Sequence, residues 1–218
     1  VRGIGEPIWP GRSDAEVVEC QHHETLLNVA FDGTPAWWLL CPYDASALGG
    51  DVLEAARRSH PFLLERDQRW PSGAYESPDT TWHPFRGELP EPSTPPREIA
   101  FAVDDLGSLR AYLSDIAEDA GFSEQRREEF VLAVNELATN SLRHAGGRGV
   151  LFVWRDGDTL MCEVRDTGRF EEPLVGRRRP KTDDAGGSGL WIVNQVCDLV
   201  QIRSGDEGNV VRVHMQVA

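Results

Sequence analysis

Three polar residues stand four positions apart in one segment of the sequence, EEFVLAVNELATNSLRHAGG (128–147): Glu136, Asn140 and His144. The segment predicts a helix, and at about 100° per residue each of the three advances by only about 40°. They therefore form a stripe at the rim of the buried face. A carboxylate there can act as a base, and an amide oxygen can hold a metal ion. The alternative interpretation is pairing between neighbours on a solvated helix edge.

A second motif, Asp166-Thr167-Gly168, ends a predicted strand. A carboxylate on a rigid strand end can accept a hydrogen bond from an exocyclic amine, and the glycine lets a flat base approach the backbone. The alternative is a turn that only terminates the strand.

A third motif, Gly186-Gly187-Ser188-Gly189-Leu190, directly precedes a predicted helix. Its glycines allow several backbone N–H groups to approach one anion closely, and the helix N-terminus adds partial positive charge. The pattern lacks the lysine of a phosphate-binding P-loop, and no buried parallel strand precedes it. A P-loop is therefore excluded, and a dinucleotide fold is disfavoured.

Together the three motifs predict a nucleotide site. Asp166 would bind the adenine, and the 186–189 turn would hold the phosphates. Asn140 would offer an oxygen to Mg²⁺, which commonly bridges phosphates. Glu136 is left near the γ-phosphate, where a carboxylate can orient and deprotonate an attacking hydroxyl.

These motifs resemble the GHKL ATPase fold, and most closely the anti-sigma factor serine kinases of bacteria. The matching residues are ELATN (136–140), DTG (166–168) and GGSGLWIV (186–193). The resemblance covers 97–218 and implies that Glu136 is the catalytic base and that Asn140 holds Mg²⁺ through ATP. The nucleotide-binding residues that it implies are Asn140, Asp166, Gly168, Gly186, Gly187, Ser188, Gly189 and Leu190.

The resemblance also implies partners and an activity. Such a protein binds Mg²⁺-ATP and a sigma factor, and it phosphorylates a serine or threonine of an anti-anti-sigma (STAS) partner. A homodimer is a further implication. The alternative is a non-catalytic, ATP-gated switch that binds a sigma factor and carries an N-terminal sensor.

Two positions depart from the family pattern. Phe170 stands where a second glycine is expected, which suggests a variant hinge for a lid over the phosphates. Asn209 stands where a threonine is common near the adenine. The segment 176–181 (GRRRPK) is the basic cluster of an acidic protein. We interpret it as part of the lid or as a partner surface, with a solvated loop as the alternative.

The elements that must position these residues follow from periodicity and turn signals. Residues 97–218 predict the order β-α-α-β-β-α-β-β, with mostly antiparallel neighbours and all helices on one face. Ser123 and Asp105 are predicted helix caps, and Asp156-Gly157 predicts a hairpin. The fold class is therefore α/β, a two-layer GHKL (Bergerat) sandwich behind a smaller N-terminal α/β domain.

Residues 1–65 predict that smaller domain, with a capping box at Ser13 and Glu16, a buried strand over 37–41 and a helix over 51–59. They resemble the later part of a MEDS-type sensory domain, a RecA-like fold found before such kinase domains. Since the chain starts at Val1, we expect earlier strands of that domain to be missing. Residues 66–96, rich in proline, predict an extended connector that lies against one domain.

Five side chains near the N-terminus are of metal-ligand types: Cys20, His22, His23, Cys41 and His60. Structural zinc prefers four ligands with closer pairing. We therefore interpret them as core cysteines and polar-edge histidines, with a metal or ligand sensor as the disfavoured alternative.

Bulk properties limit the partners. The formal net charge is −14 at pH 7, which argues against direct binding to a nucleic-acid backbone. No apolar run is long enough to span a membrane, and no signal segment opens the chain. The four separated cysteines predict thiols in a reducing compartment, so we expect a cytoplasmic protein.

Overall fold

The computed structural model describes residues 2–33, 38–77, 86–180 and 188–217. The chain divides into two compact units, residues 1–84 and 85–218. Within the described ranges, no helix is both long and apolar enough to cross a membrane.

The N-terminal unit combines two helices with two small sheets. Its elements are β1 (Arg2–Ile4), α1 (Asp14–Ala30), β2 (Trp38–Leu40), α2 (Gly50–Ser59), β3 (Phe62–Glu65) and β4 (Gln68–Pro71). Strands β1 and β2 are parallel, and β3 and β4 form an antiparallel hairpin. The predicted capping box opens α1, because Ser13 accepts from the Glu16 N–H while the Glu16 carboxylate accepts from the Ser13 N–H.

Two features of this unit differ from the sequence expectations. The predicted buried strand is a short strand with Trp38 50% exposed, since its described sheet has two strands and leaves a face open. The hairpin β3–β4 reaches into the predicted connector. Its turn residues Arg66 and Asp67 have φ of 48° and 65°. Both carry side chains, so the usual glycine signal of such a turn is missing.

The connector region also touches both units rather than one. Ser72 donates to the Arg57 carbonyl at 2.6 Å, within the N-terminal unit. Further along, Thr94 donates to the Arg155 carbonyl at 3.1 Å, within the C-terminal unit. The expectation of a segment lying against one domain is therefore wrong.

The C-terminal unit has the predicted order of elements. They are β5 (Arg97–Ala102), a 3-10 turn (Val103–Asp105), α3 (Leu106–Asp119), α4 (Glu124–His144), β6 (Arg148–Asp156), β7 (Thr159–Asp166), α5 (Gly189–Val196), β8 (Leu199–Gly205) and β9 (Gly208–Gln216). The sheet order is β5-β6-β7-β9-β8, with every neighbouring pair antiparallel.

The helix boundaries follow local signals with one correction. Ser123 caps α4 by accepting from the Arg126 N–H at 3.3 Å. Gly121, with φ of 93°, allows the sharp turn between α3 and α4. Asp105 does not cap α3 with its side chain; its carboxylate instead accepts from the Ala102 N–H at 2.8 Å and closes the 3-10 turn.

The core lies between the helices and one face of the sheet. Helix residues Leu113, Phe130 and Val134 are fully buried. Alternate strand residues such as Leu151 and Val213 meet them in one cluster, as the period of two in a strand requires. This packing fixes the buried side of α4, and hence the rim that carries the predicted site.

We expect Leu137→Ala to lower the free energy of unfolding of the C-terminal unit by about 2–5 kcal/mol, because it opens a cavity in this core. Leu137 is 2% exposed, whereas Leu132 on the same helix is 42% exposed. The matched control Leu132→Ala should cost no more than about 0.5 kcal/mol. Hydrogen exchange of β6 amides across a urea series measures both, and equal losses would contradict the assigned helix face.

Candidate functional site

Helix α4 presents Glu136 and Asn140 at the edge of its buried face. Both are partly exposed, while Leu137 and Ala138 between them are buried. Among the described residues, neither the Glu136 carboxylate nor the Asn140 amide has a hydrogen-bond or ion-pair partner. His144 is the exposed last residue of the helix. The Glu136 carboxylate and the Asn140 amide, which the predicted nucleotide site would use, are therefore available to bind a ligand.

Gly189, the first residue of α5, lies directly against this pair. A Cβ atom placed on Gly189 would stand 2.8 Å from Glu136 Oε2 and 3.2 Å from Asn140 Nδ2. Real Cβ atoms essentially never come within 3.0 Å of another heavy atom. The structure thus brings Gly189 and the predicted rim residues together, and a side chain at position 189 would displace the Glu136 carboxylate from its present position.

The start of α5 leaves backbone donors available. Ser188 is its N-cap residue, but its side chain makes no capping hydrogen bond. The first N–H groups of any α-helix lack intrahelical acceptors, so they can bind an anion. Leu190 is buried at 6% exposure and anchors the helix in the core. Gly186 and Gly187 lie outside the described residues, and their predicted role stays a prediction.

The far end of α5 is tied to α4 by one side chain. Arg126, in the first turn of α4, donates to the Val196 carbonyl at 2.9 Å and pairs with Asp198. Its guanidinium also pairs with Glu129 at 3.1 Å. Helix α5 is therefore fixed against α4 at both ends.

Asp166, at the end of β7, is held by three donors from three places in the fold. Ser141 Oγ donates to Oδ2 at 2.5 Å. The Gly168 N–H and Asn209 Nδ2 donate to Oδ1 at 2.9 and 3.0 Å. An ionised carboxylate offers about four acceptor positions. One position therefore remains on Oδ2 for an external donor such as an exocyclic amine.

Gly168 sits in the same crowded corner. A Cβ atom there would stand 2.8 Å from Asn209 Nδ2 and 3.0 Å from both Ala145 Cβ and Asp166 Oδ1. The glycine is thus required by the hydrogen-bond network around Asp166, in addition to the room it leaves for a ligand.

The two departures from the family pattern have structural roles. The Asn209 amide bridges Asp166 and Ser204, whose Oγ donates to Asn209 Oδ1 at 2.7 Å. The Phe170 N–H donates to the same Ser204 Oγ at 2.9 Å, and the Phe170 side chain packs against the core. Phe170 is therefore an anchored position, which differs from the hinge that the sequence suggests.

Sequence reasoning missed the residues that orient Asp166. By its position in the sequence, Ser141 belongs to the buried, mainly apolar face of α4. Its hydroxyl nevertheless donates to Asp166, and the residue is 1% exposed. A serine on a buried helix face was the available signal, because a buried hydroxyl needs a partner. Ser204 gave no comparable signal.

The basic segment begins beside α5. Asn194, in the middle of α5, donates to the Gly176 carbonyl at 3.4 Å. Arg177, Arg178 and Arg179 are exposed, and Lys181 lies outside the described residues. All three arginines are therefore exposed close to where this segment meets α5, while their role as lid or partner surface stays a prediction.

The cysteines of this unit are not candidate nucleophiles. Burial raises the pKa of the Cys162 thiol well above its ordinary value, and it raises the pKa of Cys197 to about 12. Both remain protonated thiols at neutral pH, and all four cysteines of the chain are free.

Residues 99–215 match the family model described as "Histidine kinase-like ATPase domain". Residues 1–61 match the model of the MEDS domain, described as the methanogen/methylotroph, DcmR sensory domain. The chain is 28% identical over 133 residues to "Serine-protein kinase RsbW" of Halalkalibacterium halodurans, a match that covers 56% of this chain and 82% of that protein.

Solved structures with a similar fold include "the RsbU and RsbW domains of Rv1364c" from Mycobacterium tuberculosis, at 18% identity and a TM-score of 0.44. That match covers 57% of this chain and 32% of the mycobacterial chain, so this chain spans about a third of its length. The catalytic domain of histidine kinase ThkA is 12% identical with a TM-score of 0.37, over 56% of this chain and 97% of that one.

We expect Asn209→Ala to lower the free energy of unfolding of the C-terminal unit by about 1.5–3 kcal/mol, because it removes a donor to a charged group. Asn135→Ala is the control, since Asn135 only accepts an exposed hydrogen bond from Arg110. Urea-dependent hydrogen exchange of β7 and β9 amides measures the difference. A loss no larger than that of the control would show that Asn209 does not hold Asp166.

Proposed function

Because the chain belongs to the histidine kinase-like ATPase family, we propose that its C-terminal domain is an anti-sigma factor kinase. It binds Mg²⁺-ATP and a sigma factor, and it phosphorylates a serine or threonine of an anti-anti-sigma protein of the STAS type. The observation that carries the proposal is the convergence on Gly189 of Glu136 and Asn140, neither of which has a side-chain partner among the residues that the structure describes. The relative named as a serine-protein kinase supports the same activity.

The residues present fit Mg²⁺-ATP. Asp166 keeps one acceptor position for the adenine amine, and Asn140 has a free amide oxygen, a ligand type that Mg²⁺ accepts. The N-terminus of α5 supplies N–H donors for phosphate oxygens. ATP, when bound with Mg²⁺, supplies the phosphoryl group and the charge neutralisation that its transfer needs.

Glu136 has the position and the freedom of a general base. One helical turn, about 5.4 Å, separates it from Asn140. In the proposed reaction a carboxylate oxygen of Glu136 would accept the proton of the acceptor hydroxyl as that oxygen bonds to the γ-phosphorus of ATP. The bond from the γ-phosphorus to the bridging β-phosphate oxygen would break, and ADP would leave. The carboxylate makes no protein contact that must break first, because it has no partner among the described residues. The rigid helix holds the base in place.

The proposed partners are supported by the net charge of the chain and by its similarity to the serine-protein kinase. A net charge of −14 disfavours nucleic acid as the direct partner. The exposed arginines 177–179 offer a local basic surface for an acidic protein or for the phosphates. A sigma factor, a STAS protein and a second copy of the chain are the partners that we propose, with the cytoplasm as the compartment where they would meet.

A second candidate is a non-catalytic switch that binds ATP and a sigma factor. The departures at Phe170 and Asn209 favour it, since they change the surroundings of the adenine pocket without touching Glu136. Both candidates require ATP binding, so the role of Glu136 separates them.

We expect Asp166→Asn to weaken ATP binding by about 10- to 150-fold. The expected loss corresponds to one hydrogen bond to a charged group, about 1.5–3 kcal/mol. Asp158→Asn is the control, because the Asp158 side chain is 95% exposed in the β6–β7 turn. Titration with a fluorescent ATP analogue measures both. Unchanged affinity in Asp166→Asn would remove the nucleotide-site assignment and both candidate functions.

We expect Glu136→Gln to retain ATP binding and to reduce phosphoryl transfer by about 10²- to 10⁴-fold, the usual loss when a general base is removed. Glu128→Gln is the matched control, since Glu128 is an exposed glutamate of the same helix. The assay is transfer of radiolabelled phosphate from ATP to a panel of serine-bearing STAS proteins.

Two results would decide against the kinase. If Glu136→Gln labels a STAS protein as fast as wild type does, Glu136 is not the base. If wild type binds ATP and a STAS protein but labels no member of the panel, the ATP-gated switch replaces the kinase.

A further inference from the structure

Three metal-ligand side chains from three separate elements meet inside the N-terminal unit. Glu24 lies on α1, Cys41 directly follows β2, and His60 directly follows α2. One ligand atom from each lies within 4.8 Å of the other two. Sequence spacing gave no sign of this group, because the fold rather than a short motif assembles it.

Glu24, within this group, is a buried carboxylate with only one of its two oxygens hydrogen-bonded among the described residues. Its side chain is 1% exposed. The Tyr43 hydroxyl donates to Oε2, but Oε1 is a buried oxygen with no hydrogen-bond partner among the described residues. A buried carboxylate oxygen without a donor is costly, so the site calls for a cation or a proton at Oε1.

His60 is oriented as metal-ligating histidines usually are. Its Nδ1 lies 2.8 Å from the Ala56 carbonyl oxygen, which can only accept, so Nδ1 carries the hydrogen. In the neutral ring Nε2 therefore bears the lone pair, and it lies 4.0 Å from Glu24 Oε1. A backbone carbonyl that fixes the tautomer in this way is a common outer-shell partner of a metal-bound imidazole.

Tyr43 completes the surroundings. It donates to Glu24, and its ring packs edge-on against the His60 ring at 5.8 Å between centroids. One aromatic side chain thus restrains two of the three groups, and it leaves Glu24 Oε1 and His60 Nε2 facing each other without a hydrogen bond. Two lone-pair-bearing atoms in that position are stabilised by a shared cation.

We propose that Glu24, Cys41 and His60 bind a divalent transition metal ion, with Zn²⁺ the best match to their ligand types. Carboxylate oxygen, thiolate and imidazole nitrogen are all zinc ligands, and their contact distances of about 2.0–2.3 Å place ligand atoms about 3.5 Å apart. The three ligand atoms lie within 4.8 Å of one another, so side-chain rotations would have to bring them closer for a metal ion to bind. Three protein ligands leave one zinc position open, as in sites that exchange water for a small ligand.

A metal ion would have to displace protons from this group in order to bind. Burial raises the pKa of the Glu24 carboxyl, and burial beside Glu24 raises the pKa of the Cys41 thiol to about 12. Without a metal ion the thiol therefore keeps its proton at neutral pH. A bound metal ion would displace that proton and pair with the thiolate.

Cobalt substitution tests the site in the full chain. The protein is stripped with a chelator under reducing conditions and titrated with Co²⁺, whose near-ultraviolet charge-transfer band reports thiolate ligation. We expect one Co²⁺ per chain with that band, and stoichiometric displacement by Zn²⁺. Cys41→Ser should abolish the band and weaken Zn²⁺ binding by more than the roughly 10- to 100-fold that loss of an outer-shell partner costs.

Cys20→Ser is the matched control. Cys20 is another partly exposed cysteine of the same unit, but it lies outside the group and its thiol contacts the Pro7 carbonyl at 3.2 Å. This variant should keep the full band. Because Cys41→Ser could unfold the unit, His60→Gln is measured in parallel, with circular dichroism to verify the fold. It should keep the charge-transfer band but bind Zn²⁺ more weakly.

Three outcomes would overturn the proposal. Wild type could bind no Co²⁺ or Zn²⁺, or it could bind Co²⁺ without a thiolate band. Alternatively, folded Cys41→Ser or His60→Gln could bind Zn²⁺ as tightly as Cys20→Ser. In each case Glu24, Cys41 and His60 do not form the proposed metal site, and ATP binding by the other unit remains a separate question.

Discussion

The close approach of α5 to α4 is the constraint on which the candidate site depends. At one end, Gly189 has no side chain, so its backbone lies close to the Glu136 carboxylate. At the other end, Arg126 on α4 binds both the last carbonyl of α5 and Asp198. The two contacts together hold the N–H donors at the start of α5 beside the Glu136 carboxylate. Since interiors are close-packed, a side chain at position 189 would push the carboxylate away.

The side chains around this contact are of two kinds. One kind is oriented by hydrogen bonds within the protein, and the other has no partner among the described residues. Asp166 is held by Ser141, Gly168 and Asn209, so its orientation is fixed before any ligand arrives. Glu136 and Asn140 have no protein partners among the described residues. A group that recognises a nucleobase gains selectivity from a fixed orientation. A general base and a metal ligand must instead remain available to react. This division suits a nucleotide-transfer site better than a solvated helix edge, where neighbouring charges pair with each other.

Local signals in the sequence were sufficient for most of the C-terminal fold. The Ser123 cap, Gly121 and the Asp156-Gly157 turn each act within a few residues, and the alternating strands fix which side chains enter the core. Contacts between distant segments could not be read in this way. The Ser141–Asp166 and Asn209–Ser204 hydrogen bonds depend on strand register, and the Arg66–Asp67 hairpin lacks glycine. The Glu24 group is a further case, because its members come from three elements.

The substitution of asparagine for threonine at position 209 has a physical consequence. A hydroxyl has one hydrogen to donate, whereas an amide donates through nitrogen and accepts through a separate oxygen. Asn209 therefore binds Asp166 with one end and Ser204 with the other, and Ser204 in turn accepts from the Phe170 N–H. This chain of hydrogen bonds links the Asp166 carboxylate to the first residues of the segment that leads to the arginines 177–179. The segment consequently starts from a fixed point at Phe170, whose N–H is held by Ser204.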